Sequence, residues 1–180
     1  SIQSLFVEMH FDLVAVEVEP FASLRLLNYM GNTIKNTNLI MFVNLGHTTS
    51  TINIIDKGIV RFSRTINWGG AQLTKEIAAY FGVSVEEAEV QKVNKVDFID
   101  LNSEISALAQ KSIKDVIMEI KRSLSFYFSK YNNEKPIDTV IVLEGGTANA
   151  KNIDKFIEIQ IGYPTFVDRT FSTMASYDQS

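Results

Sequence analysis

The chain has 180 residues, 46% hydrophobic and 21% charged, with a formal net charge of −4. That is one globular domain, or one domain with part of another, long enough to bury a core without covalent staples. With no cysteine and only two histidines, disulfides, thiolate metal sites, cysteine nucleophiles and histidine-rich metal centres are excluded. The acidic balance argues against nonspecific binding to nucleic acid or to an anionic membrane. No run approaches the roughly 18 apolar residues needed to span a bilayer. No signal-peptide pattern is visible, so a cytoplasmic location is expected.

Residues 2–9 read as a short helix and residues 13–18 as a strand, β-branched and free of breakers. Pro20 stands where helices begin, and Phe21, Leu24, Leu27 and Met30 follow at helical spacing up to Gly31. After a polar connector, residues 39–45 are almost continuously apolar, as in a strand covered on both faces. Residues 51–55 form the next strand, Asp56-Lys57-Gly58 a three-residue turn, and residues 59–66 a third strand. Strict alternation there puts Val60, Phe62 and Ile66 on one face and Arg61, Ser63 and Thr65 on the other. Gly69-Gly70 opens a helix with Leu73, Ile77 and Phe81, closed by Gly82. Ser84 and Glu87 form a capping box for a short helix.

Residues 103–131 keep one apolar stripe and predict a single helix of about 40 Å. Residues 139–143 are a buried-type strand stopped by Gly145-Gly146, residues 148–161 a helix, and Phe166-Val167 a last strand. An antiparallel meander followed by helix-crossover strands predicts an α/β fold: a mixed five-stranded sheet with helices on both faces.

Several features can carry chemistry. The turn Asn44-Leu45-Gly46-His47-Thr48-Thr49 can cradle phosphate with backbone N–H and hydroxyl groups, or be an ordinary polar hairpin. Gly145-Gly146-Thr147, between a strand and a helix, lets a ligand approach the backbone closely, or is a plain turn. Trp68-Gly69-Gly70 repeats that pattern. Lys121, Arg122 and Ser125 share one side of the long helix, away from its apolar stripe. They are either a solvated face or a set in which Arg stacks on a purine while Lys and Ser hold a sugar. Glu19, ahead of Pro20, is either a helix-dipole charge or a carboxylate able to orient a water.

The segments Val16-Glu17-Val18-Glu19-Pro20-Phe21-Ala22, Phe62-Ser63-Arg64-Thr65-Ile66-Asn67-Trp68-Gly69-Gly70-Ala71-Gln72-Leu73-Thr74, Val85-Glu86-Glu87-Ala88-Glu89 and Arg122-Ser123-Leu124-Ser125-Phe126-Tyr127 resemble the PilM family. These are cytoplasmic actin-like proteins of type IV pilus assembly. The division protein FtsA shares several pieces and is the nearest alternative. The resemblance implies a ribonuclease-H-like actin-type domain binding ATP and Mg2+. Asn44, Gly46, His47, Thr48 and Thr49 would form the second phosphate loop, with Asn44 reaching the magnesium through a bound water. Gly145, Gly146 and Thr147 would form the adenosine loop. Lys121, Arg122 and Ser125 are spaced like the adenine-contacting helix of heat-shock chaperone ATPases. Glu19 resembles the water-orienting glutamate in the Glu-Pro-x-Ala stretch of MreB.

Three departures point to weak or absent ATPase activity. Asn44 stands for the usual Asp, His47-Thr48 interrupt the glycine-rich loop, and Thr147 replaces a third glycine. By the same resemblance, residues 1–33 are the end of a first actin-like domain and residues 34–180 a second, with a helical insert around 83–102. The chain then lacks the first phosphate loop and a closing helix, and as half a cleft it should bind ATP weakly. The implied partner is the cytoplasmic tail of a PilN-type inner-membrane protein, with self-association also open. No nucleic acid and no direct membrane insertion are expected.

Overall fold

A computed structural model describes residues 6, 8–12, 14, 16–27, 39–131 and 138–168. Met30, Gly31, the polar connector and most of the predicted helix at 2–9 lie outside the described residues. The described part of the predicted strand at 13–18 is not a strand. Val14, Val16 and Val18 are exposed there; β propensity yields a strand only where a neighbouring strand accepts the backbone hydrogen bonds. Helix α1 follows at Glu19–Leu27.

The sheet is built from β1 (Leu39–Leu45), β2 (Ser50–Asp56), β3 (Ile59–Ile66), β4 (Thr139–Glu144) and β5 (Thr165–Val167), in the order β3-β2-β1-β4-β5. β1–β2 and β2–β3 are antiparallel, while β1–β4 and β4–β5 are parallel. This is the mixed sheet that the apolar runs predict. β1 is buried on both faces. Leu39, Met41, Val43 and Leu45 join the main core, and Ile40 and Phe42 join a second cluster on the opposite face.

Two details of the meander differ from the prediction. The β2–β3 turn has two residues, Lys57 and Gly58, both at positive φ (49° and 76°), the conformation that matches strand twist in a tight hairpin. Beyond it, Ile55 faces Val60 while Ile54 faces Phe62, so Arg61 is an extra, bulged residue. The bulge breaks the alternation. Val60 therefore packs on the second cluster and Phe62 on the main core.

Helices α2 (Gly70–Phe81), α3 (Val85–Lys95), α4 (Glu104–Ser112), α5 (Lys114–Tyr131) and α6 (Ile153–Ile161) bring their apolar residues to the main core. Gly82 closes α2 at φ 65°. Ser84 accepts the Glu87 N–H to start α3, and Ser103 caps α4 in the same way. The predicted 40 Å helix is broken at Ile113, which has φ −81° and ψ −1°. The break has a packing reason. Ile113 is fully buried, and Ser112 accepts the Trp68 indole N–H at 3.2 Å. α4 can then lean on α2 while α5 lies along β2 and β3. The predicted helix at 148–161 starts later, at Ile153, because Asn152 takes a left-handed conformation (φ 58°). A single 3-10 turn covers Gly146–Asn149 before it.

Trp68 is the one tryptophan and is 2% exposed, so its emission reports unfolding directly. Phe98 is fully buried against the Phe156 ring, whereas Tyr80 is exposed. Urea titration followed by Trp68 emission should show Phe98→Ala losing about 3–5 kcal/mol. Tyr80→Ala should stay within about 0.5 kcal/mol of the parent.

Candidate functional site

Parallel pairing of β1 and β4 sets Asn44 beside Glu144, so the segments that leave these strands emerge side by side. The bend after β3 completes a three-loop junction at this end of the sheet. Gly70 N–H donates to the Gly46 carbonyl at 2.9 Å, and Ala71 N–H to that of His47 at 2.8 Å. The Thr147 hydroxyl donates to the Gly46 carbonyl at 3.4 Å, and the Ser50 hydroxyl to the Trp68 carbonyl at 2.8 Å. Two N–H groups at the start of α2 are thus occupied by the β1–β2 turn itself.

The packing is too close for side chains. A Cβ on Gly69 would lie 2.5 Å from the His47 carbonyl oxygen, and one on Gly70 2.5 Å from the Thr147 hydroxyl. At Gly145 a Cβ would stand 2.3 Å from Asn44 Oδ1, and its φ of 87° already favours glycine.

On the helical side, the junction borders a cavity of about 360 Å³, within the size range of small-molecule sites. Gly46, His47, Gly146 and Thr147 line one part of it, and Glu89 and Lys92 of α3 line another. Lys92 Nζ donates to Glu89 Oε2 at 2.7 Å, to the Thr74 hydroxyl at 2.8 Å and to the Gly70 carbonyl at 3.3 Å. Burial raises the Glu89 pKa, but the hydrogen bonds from Lys92 and Thr74 outweigh it, and the net shift is downward. The cavity therefore offers backbone, a hydroxyl and a fixed cation–carboxylate pair: groups that suit the polar edge of a ring or a sugar.

The other side of the junction is acidic. Thr51, Asn44 and Glu144 form a row across β2, β1 and β4. α1 docks over it through Glu19 and Ser23, one helical turn apart. The Thr51 hydroxyl donates to Glu19 Oε1, and the Ser23 hydroxyl donates to Glu144 Oε2 at 3.0 Å. Burial pushes the Glu144 carboxyl up to about 7; the Ser23 hydroxyl opposes this, and the carboxylates of Asp168 and Glu19 add to it.

The structure thus brings together most of the residues that the sequence nominates. Gly46, His47, Gly146 and Thr147 meet at the cavity, with Thr48 and Thr49 exposed on the same turn. Asn44, Gly145 and Glu19 belong to the opposite side of the junction. Lys121, Arg122 and Ser125 do not join them. Lys121 and Ser125 border a separate cavity of about 490 Å³ with Gln160 and Tyr163. α6 runs back from the Gly-Gly turn to the start of β5, so its last residues lie at the far end of the sheet. Arg122 turns elsewhere, donating to Glu119 at 2.6 Å; Arg64 of β3 pairs with the same carboxylate at 2.9 Å.

Lys92, rather than the Lys-Arg set, lines the cavity beside the junction. Its sequence signal is only Glu89-x-x-Lys92, which reads as an ordinary surface pair on a short helix. Its tertiary contacts with Thr74 and Gly70 are what distinguish it.

The Glu144 shift has a signed consequence. Between its ordinary value of 4.5 and about 7, the folded chain holds a proton that the unfolded chain has released. Stability therefore falls as pH rises through that window. Glu144→Gln should remove this slope and gain on the order of 2 kcal/mol over the parent at pH 8, with little difference at pH 4. Urea midpoints at the two pH values measure it.

Residues 2–180 match the family described as type IV pilus assembly protein PilM. The ethanolamine utilization protein EutJ from Carboxydothermus hydrogenoformans is 22% identical, with a TM-score of 0.71 over 92% of this chain and 54% of its own. A PilM–PilN type IV pilus biogenesis complex gives 18% and 0.71, over 90% of this chain and 44% of its own. MreB5 of Spiroplasma citri bound to AMPPNP gives 20% and 0.67, over 92% and 58%. The chain thus spans about half the length of these structures. At such identities the likeness carries the fold, which is actin-like; the match along nearly the whole sequence carries the family. This chain belongs to the type IV pilus assembly protein PilM family.

Proposed function

We propose that the chain forms one wall of a nucleotide cleft in an actin-like scaffold of type IV pilus assembly. The observation that carries this reading is the glycine-dependent junction of three loops beside the cavity that holds Lys92. Backbone approach of this kind suits phosphate oxygens, and Lys92 with Glu89 suits the sugar or base. The PilM family match supports the pilus role, and the neighbour carrying AMPPNP supports a nucleotide ligand. In this reading residues 1–33 end a first actin-like domain and residues 34–180 form the second, with the insert at 83–102 supplying the Lys92 wall.

Gly46, His47, Thr48 and Thr49 hold phosphate, and Gly145, Gly146 and Thr147 hold the nucleoside end. Mg2+, when bound, neutralises phosphate charge. Asn44 would help to hold it through a water on the amide oxygen, without the charge that holds a hard cation tightly. Glu19 is the residue that the resemblance nominates to orient an attacking water, and it is engaged by Thr51. Hydrolysis is therefore expected to be slow or absent.

ATP with Mg2+ should raise the melting temperature of the full-length protein in a concentration-dependent way. Lys92→Ala should weaken that response about tenfold, because the cavity wall loses the cation that fixes Glu89 and Thr74. No shift at millimolar ATP would overturn the nucleotide reading.

The partner in this reading is the cytoplasmic tail of a PilN-type inner-membrane protein, which would keep the scaffold at the inner face of the membrane. Among the described residues, no helix is long and apolar enough to cross a membrane. An immobilised peptide of that tail should retain the full-length protein; failure to do so in low salt would count against the pilus assignment.

A further inference from the structure

The cavity's two walls come from segments far apart in sequence. One is α3, with Glu89 and Lys92; the other is the stretch from Gly146 to Ala150. α3 ends at Lys95 and the second stretch at Ala150, and the residues just beyond each wall are tied together. Asp97 and Lys151 form an isolated parallel bridge. Phe98 N–H donates to the Lys151 carbonyl at 3.0 Å. The Asp97 carboxylate accepts from Asn152 Nδ2 at 2.8 Å and from Ile99 N–H at 3.2 Å, and pairs with Lys151 Nζ at 2.9 Å. On its other side, Asp97 N–H donates to the hydroxyl of the fully buried Ser106 at 3.0 Å. The clasp is therefore anchored in the core.

Asn152 is unusual in two ways. It is one of few non-glycine residues at positive φ among those described, a conformation that costs roughly 1 kcal/mol or more and persists only where its surroundings enforce it. It also occupies the N-cap of α6, yet its side chain does not cap that helix. The amide that would ordinarily satisfy the helix end is directed to Asp97 instead. Hydrogen bonds from Asn152 and Lys151 hold the Asp97 carboxyl down at about 2, so the clasp stays charged throughout the working pH range.

We propose that Asp97 and Asn152 are positioning residues: their hydrogen bond sets the separation between the α3 wall and the 146–150 wall, and through it the affinity for nucleotide. The affinity half rests on the nucleotide reading above; the separation half does not.

The absence of cysteine makes the test clean. Spin labels on Glu86→Cys and Lys155→Cys, both exposed positions outside the cavity lining, report the distance between α3 and α6. The parent should give one narrow distance distribution. Asp97→Ala should broaden it. So should Asn152→Gly, which keeps the positive-φ backbone but removes the amide. Both should weaken ATP-Mg2+ binding about tenfold, as expected for loss of a hydrogen bond to a charged group. The exchange Asp97→Asn with Asn152→Asp reverses the donor and the acceptor and should restore both the narrow distribution and the affinity. A purely structural loss would not predict that rescue.

An unchanged distribution in Asp97→Ala and Asn152→Gly overturns the proposal. A broadened distribution with unchanged ATP affinity overturns the positioning role. If the parent binds no ATP, the nucleotide reading fails, and the distance distributions still decide the clasp.

Discussion

The parallel pairing of β1 with β4 is the constraint on which the rest of the structure depends. It joins two segments almost a hundred residues apart and sets Asn44 in register with Glu144. Both following loops then emerge at one end of the sheet, where they pack closely enough that Gly69, Gly70 and Gly145 cannot carry a side chain without displacement. Polar backbone there must be satisfied in a confined space. The junction satisfies it by spending N–H groups of α2 on the carbonyls of the β1–β2 turn. The loops become one unit, and a ligand would meet a surface formed in advance.

That junction separates two chemical environments. Toward the helices lies the cavity with the Lys92–Glu89–Thr74 cluster; toward α1 lies the row of Thr51, Asn44 and Glu144. The difference follows from strand alternation. Odd-numbered residues of β1 feed the main core, whereas Asn44 follows Ile40 and Phe42 on the other face. α1 uses Glu19 and Ser23 to close over that polar row, and the confinement raises the Glu144 pKa. A neutral Asn44 is compatible with this crowding, since a third carboxylate in the row would add to the repulsion between Glu19 and Glu144.

Much of this was legible in the sequence. The apolar run of β1, the Gly82 stop, the Ser84 cap and the glycine pairs after β3 and β4 are local signals with local physical causes. They lead to the right strands and the right sheet class, and to the turns that close the sheet at the junction end. The errors are equally informative. A continuous apolar stripe at 103–131 cannot disclose that burial of Ile113 and the Trp68–Ser112 hydrogen bond break the helix. Alternation in β3 cannot disclose a bulge at Arg61, which arises from pairing with β2. Lys121, Arg122 and Ser125 share a helix face, but Lys121 and Ser125 border a different cavity from the three-loop junction, because the direction of a helix across a sheet is a tertiary property.

By itself, then, the sequence determined most of the elements, the mixed sheet, the family and the glycine turns, because periodicity, capping and backbone freedom act over a few residues. Only the tertiary structure decided which charged groups share the cavity. Lys92 resembles any surface lysine until α3 folds back onto Gly70 and Thr74, and Asp97 resembles any loop aspartate until Asn152 turns away from its own helix to meet it. Both depend on contacts between residues 18 to 55 positions apart. Such contacts form only when the packed core brings distant segments within hydrogen-bonding distance.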